Sequence, residues 1–490
     1  MSDVTPKKAL LKGAFWTLAS RWSVRLLGFA NTMVMARLIR PEDYGIVAMA
    51  MLVVGLVQTL LDTGTGTAIL RMKEVTRDDL DSAWTLRLME FMAAASVLAL
   101  VAYPAALYFK DFRVTPILLV FAACIAIQGF ATMCPTIAQR ELNFSIDFRI
   151  AVIGKLTGVL VTVAGGFYFR DYRALVAGIA SSYLISTLLT YLLHPYRSTW
   201  NTTKLREIWH VTKWITFSGM ASFTLRKGDE FIAARVATTQ NYGYYNVGAD
   251  LGQMPTGEVG PAIMRSFLPV LSTIQADVER TRQAVLKTLL AINTLIAPIG
   301  AIFSVMAVPA TLLLLGHQWE PAARIVAVFA VLSSFQIMLS PLNTLLTLRG
   351  HTKVQSHIVW QEFLVFVLAA IPLVPAHGIV GLAFARLIGV VANCTLLTWN
   401  AWRHCGISPR DVLLTLARPW LGATLTALAV YGLLQVVDGV LWQILAGSVS
   451  AGLLYASWCA LTWQLVGRPE GLESTVLDRF VAWRHARAAG

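Results

Sequence analysis

Apolar runs of about twenty residues recur along this 490-residue chain from one end to the other. Each run is long enough to cross the roughly 30 Å hydrocarbon core of a membrane as a helix. Only 14% of the residues are charged, whereas soluble proteins contain about a quarter. We therefore predict an all-α polytopic membrane protein with fourteen transmembrane helices, or twelve if the two weaker spans do not cross. The predicted spans are residues 13–35, 44–69, 84–107, 114–136, 150–169, 174–194, 214–236, 242–272, 288–310, 322–346, 356–375, 378–400, 418–436 and 440–465.

A stretch near the start of the chain is echoed near its middle. Residues 36–45 read ARLIRPEDYG and residues 234–243 read ARVATTQNYG, an offset of 198 residues that extends back to Trp16 and Trp214. Chance similarity is the alternative, but the polar and aromatic matches at one register argue against it. Duplications of this size are typical of transporters built from two helical bundles. We predict two pseudo-symmetric six-helix lobes, residues 1–197 and 198–410, followed by two extra helices and a cytoplasmic tail in residues 411–490.

The basic residues indicate how the chain is oriented. The net charge is +13, and with the N-terminus inside, the predicted inner loops and tail hold 24 basic residues, Arg418 among them, against 6 in the outer loops. This asymmetry is the positive-inside pattern, which predicts that both termini are cytoplasmic. We interpret the basic excess as orientation and attraction to the inner leaflet, not as a nucleic-acid surface. The polar segment 194–213 is predicted to link the two lobes along that leaflet.

Several classes of chemistry find no support in the sequence. The chain contains no GxxxxGK[ST] motif, which argues against ATP hydrolysis. Its five cysteines are scattered without a CxxC pair, and His351 and His357, the closest histidines, are not at a metal-ligand spacing. We therefore expect neither a metal nor a cofactor, and we do not expect an enzyme.

Ionisable residues lie within several predicted spans, where they are costly and usually face a bundle interior or water. Two pairs of them, Arg87 with Glu90 and Arg226 with Glu230, are spaced so that the partners could neutralise each other in a structural role. The other bases favour a cationic lumen, which suits an anionic substrate such as a phosphate. The candidate substrate-binding residues are Arg21, Arg25, Arg87, Lys155, Arg226 and Lys227. The candidate ion-coupling acids are Asp62, Glu90, Asp229 and Glu230.

Glycine and proline interrupt two of the predicted spans. Residues 252–257 read GQMPTG in the eighth span, and residues 63–67 read TGTGT in the second. Breaks at matching positions of two halves mark substrate sites and hinges in transporters. Close helix packing on small residues is the structural alternative.

Three segments resemble a known family. Residues 36–45, the opening GAFW at 13–16 and QRELNF at 139–144 are similar to the polysaccharide and O-antigen flippases of the multidrug/oligosaccharidyl-lipid/polysaccharide exporter superfamily, of the colanic-acid or lipopolysaccharide type. The resemblance implies a V-shaped, two-lobed bundle with a cationic cavity. It also implies a protein of the bacterial inner membrane that moves undecaprenyl-pyrophosphate-linked oligosaccharide to the outer leaflet for exopolysaccharide, capsule or lipopolysaccharide synthesis. Lipid II flippases of this superfamily carry two extra helices that form a groove for the lipid tail.

The resemblance also suggests partners and alternatives. The implied partners are the lipid-linked oligosaccharide, membrane lipid, and the polymerase and glycosyltransferases of the same pathway. A drug/cation antiporter of the superfamily is one alternative, although it would favour an acidic cavity. A membrane polymerase or ligase is another, although the predicted outer loops are too short for catalytic groups. We expect an ion gradient or consumption of the product, rather than ATP, to drive transport.

Overall fold

The computed structural model of the chain describes residues 6–61, 65–72, 74–205, 223, 227–257, 259–274 and 277–465, and these residues form helices and connecting turns. Internal contacts divide the chain into two compact units, Met1–Gly243 and Tyr244–Gly490. The first unit contains α1 (Pro6–Leu38), α2 (Pro41–Leu61), α3 (Thr65–Arg71), α4 (Arg77–Phe109), α5 (Val114–Gly129), α6 (Cys134–Arg140), α7 (Phe144–Phe169), α8 (Tyr172–Leu192) and the start of α9 (Thr239–Gln253). The second contains the rest of α9, then α10 (Val259–Ile274), α11 (Val278–Val305), α12 (Ala307–Leu314), a 3-10 turn (His317–Ala322), α13 (Ala323–Met338), α14 (Ser340–Leu348), α15 (Thr352–Cys405), α16 (Pro409–Leu434) and α17 (Val440–Leu465).

Nine helical segments in the part of the chain that the structure describes are long and apolar enough to cross a membrane, or ten if the bent pair α5 and α6 is one span. One of them, α15, has 54 residues and is broken at Gly378, where φ is 59°. A straight helix of that length would measure about 80 Å, far more than a bilayer core. We therefore read α15 as two crossings, as the sequence predicts. The all-helical membrane fold is confirmed, and the count of fourteen remains a prediction.

The predicted break in the eighth span is present: α9 ends at Gln253, residues 254–257 form a turn and α10 starts at Val259. The break predicted at residues 63–67 begins outside the residues that the structure describes, so it stays a prediction, and Thr65–Arg71 form the short helix α3. A further break was not predicted: α5 and α6 are bent by 51°. Thr190 of α8 stabilises this bend, because its hydroxyl accepts a hydrogen bond from the Thr132 amide (3.1 Å) and its carbonyl accepts one from the Thr132 hydroxyl (3.1 Å). Partners of this kind allow irregular backbone at membrane depth.

The start of the predicted interlobe linker is fixed to the first turns of α4. Lys204 Nζ lies 2.7 Å from an oxygen of Asp79, and the Thr199 hydroxyl donates to Asp81 (2.7 Å). The hydroxyl of Tyr196 also donates to Asp81, and burial together with this hydrogen bond raises the pKa of Tyr196 above its usual value. These residues are therefore packed within the first unit, and their position along the inner leaflet stays a prediction. The predicted boundaries of the two repeated lobes, at residues 197 and 410, stay a prediction.

The two copies of the repeated motif contact each other within the first unit. Each copy opens a helix at the equivalent position, α2 at Pro41 and α9 at Thr239. A Cβ on Gly45 would overlap the Thr239 carbonyl oxygen, and a Cβ on Gly243 would overlap the Pro41 carbonyl oxygen. The contact is reciprocal, as in a two-fold interface. We call this the glycine contact.

Polar groups beside the glycine contact join the same segments. The Thr239 hydroxyl donates to Asp111 (3.1 Å), and Arg113 binds both oxygens of Asp111 at 3.0 and 2.8 Å. Burial alone would raise the pKa of Asp111, but the hydrogen bonds from Arg113 and Thr239 outweigh it and hold that pKa below its usual value. Arg235 also lies over the ring of Tyr108, 5.6 Å from its centroid. The carboxylate of Asp111 is therefore a fixed anchor for the start of α9.

In the second unit, the last two helices are attached by buried polar contacts. The fully buried Asn293 of α11 accepts a hydrogen bond from the Trp420 indole (3.0 Å) and donates to the Met338 carbonyl (3.0 Å). Arg418 was assigned to an inner loop from the sequence, but it lies inside α16. Its guanidinium donates to the Thr462 hydroxyl (2.7 Å) and the Cys459 carbonyl (2.8 Å) of α17. The sequence assignment of Arg418 is wrong because α16 starts nine residues earlier than the apolar run.

Candidate functional site

A polar cavity of 710 Å³ lies inside the first unit, between α2 and the helices that follow it. Arg87 of α4 lies three residues inside the predicted span 84–107, which corresponds to about 5 Å along the helix axis. The cavity walls combine charged, amide, hydroxyl and aromatic side chains. Its polar and aromatic lining residues are Gln58, Thr59, Thr65, Arg87, Glu90, Phe91, Gln128, Thr136 and Phe223. We call this the polar cavity.

The bend after α5 contributes to the polar cavity. Thr136 belongs to α6, beyond this bend, and Thr65 and Gly66 belong to the short helix α3. Helices α3 and α6 approach each other: a Cβ on Gly66 would lie 3.6 Å from Thr136 Oγ1. Irregular backbone inside a membrane is tolerated where it lines such a cavity.

The two charged residues of the polar cavity each have an identified contact. The Thr65 hydroxyl donates to Glu90 Oε1 at 3.2 Å. The guanidinium carbon of Arg87 lies 5.3 Å from the centroid of the Phe91 ring, within the range of a cation–π interaction. Both residues were predicted from the sequence, as a substrate-binding base and an ion-coupling acid, and both line the cavity.

A second basic group lies on α1 and α7. Arg21 and Arg25 are one turn apart on α1, with Arg21 exposed and Arg25 half-buried. Lys155 of α7 approaches the next turn of α1, since a Cβ on Gly28 would lie 3.7 Å from Lys155 Nζ. Within the described residues, Lys155 has no hydrogen-bond or ion-pair partner. The described lining of the polar cavity does not include these three bases, so the predicted cationic residues form at least two groups.

The remaining predicted site residues lie on or near the helical stretch 227–236. Lys227 pairs with Glu230 three residues away, which supports a structural role for this charge pair. Asp229 is buried, with 8% of its surface exposed. Arg226 and Asp62 lie outside the residues that the structure describes, so the predicted pairing of Arg226 with Glu230 and the predicted role of Asp62 stay predictions.

Sequence reasoning missed the uncharged part of the polar cavity. Gln58 and Gln128 are amides inside apolar runs, and such residues in membrane helices are a signal that the search for charges overlooked. The sequence places Glu362 and Arg386 inside predicted spans but does not pair them. In the second unit they form a largely buried ion pair: Arg386 Nη1 lies 2.6 Å from Glu362 Oε1, and the Asn393 amide donates to Glu362 Oε2 at 2.7 Å. Arg386 and Asn393 are seven residues apart and therefore share one helix face.

A second cavity, in the second unit, is apolar. It has a volume of 560 Å³ and lies between α17 and the segment formed by α11 and α12. Pro298, Ile302 and Phe303 line one side, and Ile444 and Tyr455 line the other. A cavity of this lining can hold a hydrocarbon chain but offers little to a charged group. We call it the apolar cavity.

Known proteins are similar to this chain in sequence or in fold. The succinoglycan biosynthesis transport protein ExoT of Rhizobium meliloti is 22% identical, with 94% of this chain and 95% of the relative covered. The lipopolysaccharide biosynthesis protein WzxC of Escherichia coli is 20% identical, with 89% of each chain covered. The structure of the lipid II flippase MurJ in an inward closed conformation matches with a TM-score of 0.73 at 13% identity, covering 92% of this chain and 99% of that one. This likeness shows a shared fold.

The family match covers the region that contains the polar cavity. The polysaccharide biosynthesis protein family matches residues 34–324, which is more than half of the chain. That interval includes both copies of the repeated motif and all the described residues that line the polar cavity. The chain therefore belongs to the polysaccharide biosynthesis protein family.

Proposed function

We propose that this protein is a flippase that moves undecaprenyl-pyrophosphate-linked oligosaccharide from the inner to the outer leaflet of the bacterial inner membrane. The observation that carries the proposal is a polar cavity, with Arg87 and Glu90 on its wall, at the depth of apolar spans. Ionisable residues at that depth are costly and mark transport pathways. Family membership and relatives named for succinoglycan transport and lipopolysaccharide biosynthesis support a glycolipid as the cargo.

Two of the three chemical parts of such a lipid, the pyrophosphate and the lipid chain, have matching surfaces. Lys155 and the α1 arginines Arg21 and Arg25 supply positive charge for the pyrophosphate, since phosphate forms strong hydrogen bonds with these bases. The apolar cavity beside α17 suits the polyisoprenyl chain. The family resemblance implies the same role, because the two extra helices of lipid II flippases form a groove for the lipid tail. The distribution of basic loops supports cytoplasmic termini and an inward-to-outward direction. The polymerase and glycosyltransferases of the same pathway are the proposed partners, and no catalysis is assigned to the chain itself.

Removing the positive charge at Lys155 should weaken transport. We expect Lys155→Ala and Arg25→Ala to lower the flipping rate about tenfold or more, because a hydrogen bond to a charged group contributes about 1.5–3 kcal/mol. Arg25→Lys should keep part of the rate. The measurement is movement of labelled undecaprenyl-pyrophosphate-linked oligosaccharide in proteoliposomes, with membrane protein levels determined in parallel.

Lys353→Ala is the matched control, since Lys353 is an exposed lysine at the start of α15. Loss of folded protein in both alanine variants would favour a structural role for these bases. Parental flipping rates in both would contradict their role in binding the pyrophosphate. If the same proteoliposomes moved an organic cation and not the glycolipid, the antiporter alternative would replace the flippase.

Ion coupling is proposed to depend on an acid at membrane depth, and Glu90 is the described candidate that lines the polar cavity. Glu90→Gln keeps an oxygen that can accept the Thr65 hydrogen bond but cannot exchange a proton or sodium ion. We expect an imposed proton or sodium gradient to accelerate flipping by the parent protein and not by Glu90→Gln. Asp62, Asp229 and Glu230 are the other proposed coupling acids.

The control for this change is Glu320→Gln, at an exposed glutamate of the 3-10 turn in the second unit. If a gradient accelerates Glu90→Gln as much as the parent, Glu90 does not couple transport. If no gradient affects the parent, transport is driven by the gradient of the substrate itself.

A further inference from the structure

We infer that the polar cavity is a subsite for a neutral carbohydrate, namely sugar residues of the transported lipid, and this inference rests on the proposed flippase function. It assigns a ligand class to a site distinct from the bases on α1 and α7. Three properties of the cavity support it: an amide and hydroxyl lining, aromatic surface, and balanced charge.

The amides and hydroxyls match the hydrogen-bonding pattern of a sugar. A glutamine amide both donates and accepts, as each sugar hydroxyl does, and Gln58, Gln128 and Thr136 place such groups on the cavity wall. Gln128 Oε1 is buried, and among the described residues no group donates a hydrogen bond to it. Buried polar atoms in folded proteins are nearly always paired. A ligand hydroxyl is a donor that would satisfy Gln128 here.

The aromatic residues supply the second half of sugar recognition. A pyranose ring has C–H-rich faces that pack on apolar surface while its hydroxyls point to the sides. Phe91 and Phe223 both line the cavity and provide such surface beside the amides. Pockets that bind organic ligands typically combine apolar walls with a few convergent polar groups.

The volume of the polar cavity and the charge of its described lining both argue against a simple ion as the ligand that fills it. Its 710 Å³ lies within the range of about 300–1,000 Å³ that holds organic ligands, far more than one cation needs. The charged lining residues that the structure describes, Arg87 and Glu90, have opposite signs. A neutral, hydroxyl-rich ligand fits this balance better than a phosphate, which needs net positive charge.

The test compares two lipids that differ only in the sugar. Parent and variant full-length proteins in proteoliposomes are given undecaprenyl pyrophosphate, either bare or carrying a neutral hexose disaccharide. We expect Gln128→Leu to lower the ratio of glycolipid to bare-lipid flipping by about tenfold, because a site built for a hydroxyl loses its partner. Thr136→Val, which preserves side-chain shape, should lower the same ratio. Lys155→Ala should slow both lipids and leave the ratio unchanged.

Gln435→Leu, at an exposed glutamine just after α16, is the matched control and should keep the parental ratio. A parental ratio in both Gln128→Leu and Thr136→Val would overturn the carbohydrate subsite and leave the flippase proposal intact. If the parent moved neither lipid, the proposed function would fail. In that case, saturation-transfer NMR with the free disaccharide decides the subsite: contact signals with the parent that Gln128→Leu loses support it, and their absence with the parent overturns it.

Discussion

Gly45→Ala is expected to reduce export about tenfold or more, because it opens the glycine contact between the two copies of the repeat. The added Cβ would overlap the Thr239 carbonyl oxygen, so the backbones of α2 and α9 would have to separate. Overpacking of this kind costs about 1–3 kcal/mol, which lowers the population of the closed contact by roughly five- to 140-fold. Gly243→Ala should have the same effect, because its Cβ would overlap the Pro41 carbonyl oxygen. The double variant should be little worse than either single one, since both changes open one contact.

A crosslink measures the contact directly. Arg40→Cys and Gln240→Cys place exposed cysteines beside the glycine contact. We expect these cysteines to crosslink in the parent background and to crosslink less when Gly45→Ala is added. The crosslink should block export. Trp200→Cys paired with Gln240→Cys is the control. Trp200 belongs to the linker, which is bound near the start of α4. The start of α9 is bound just after the end of α4. The 33 residues of α4 separate its two ends by about 50 Å. Full export with the first crosslink formed would show that this end need not open during transport.

Arg386→Leu is expected to destabilise the protein by about 3–5 kcal/mol, because it leaves the Glu362 carboxylate buried without its guanidinium partner. The Glu362 side chain is 13% exposed and the Arg386 side chain 12% exposed, and Arg386 Nη1 lies 2.6 Å from Glu362 Oε1. We expect a clear fall in the thermal unfolding temperature of the detergent-solubilised protein and a lower membrane level. Arg403→Leu, at an exposed arginine near the end of α15, should change neither.

A paired substitution separates the charge from the shape of this site. Glu362→Met with Arg386→Leu removes both charges and should recover most of the lost stability, since apolar pairs often replace buried ion pairs without penalty. Export by this double variant then reports whether the charges serve transport or only folding. Parental stability in Arg386→Leu alone would contradict the structural role of the pair.

Much of the architecture was predictable because membranes impose strict rules on sequence. An apolar run must become a helix in lipid, so the span 440–465 was predicted at the bounds that α17 has. Glycine and proline predicted the break after Gln253, which the structure contains. The repeated motif predicted equivalent local structure, and α2 and α9 do begin at equivalent positions, 198 residues apart.

The fold class, the break after Gln253 and the charges within the apolar runs were predictable from the sequence, because hydropathy and local backbone preferences act along the chain. The partners of those groups depended on how the helices pack. Packing placed Glu90 beside Thr65, twenty-five residues away, and it paired Glu362 with Arg386 across the bend at Gly378. Helix packing is set by side-chain shape over long sequence separations, and periodicity does not encode those partners. For the same reason Gln58 and Gln128, unremarkable in two separate apolar runs, were recognisable as parts of one polar cavity only after folding.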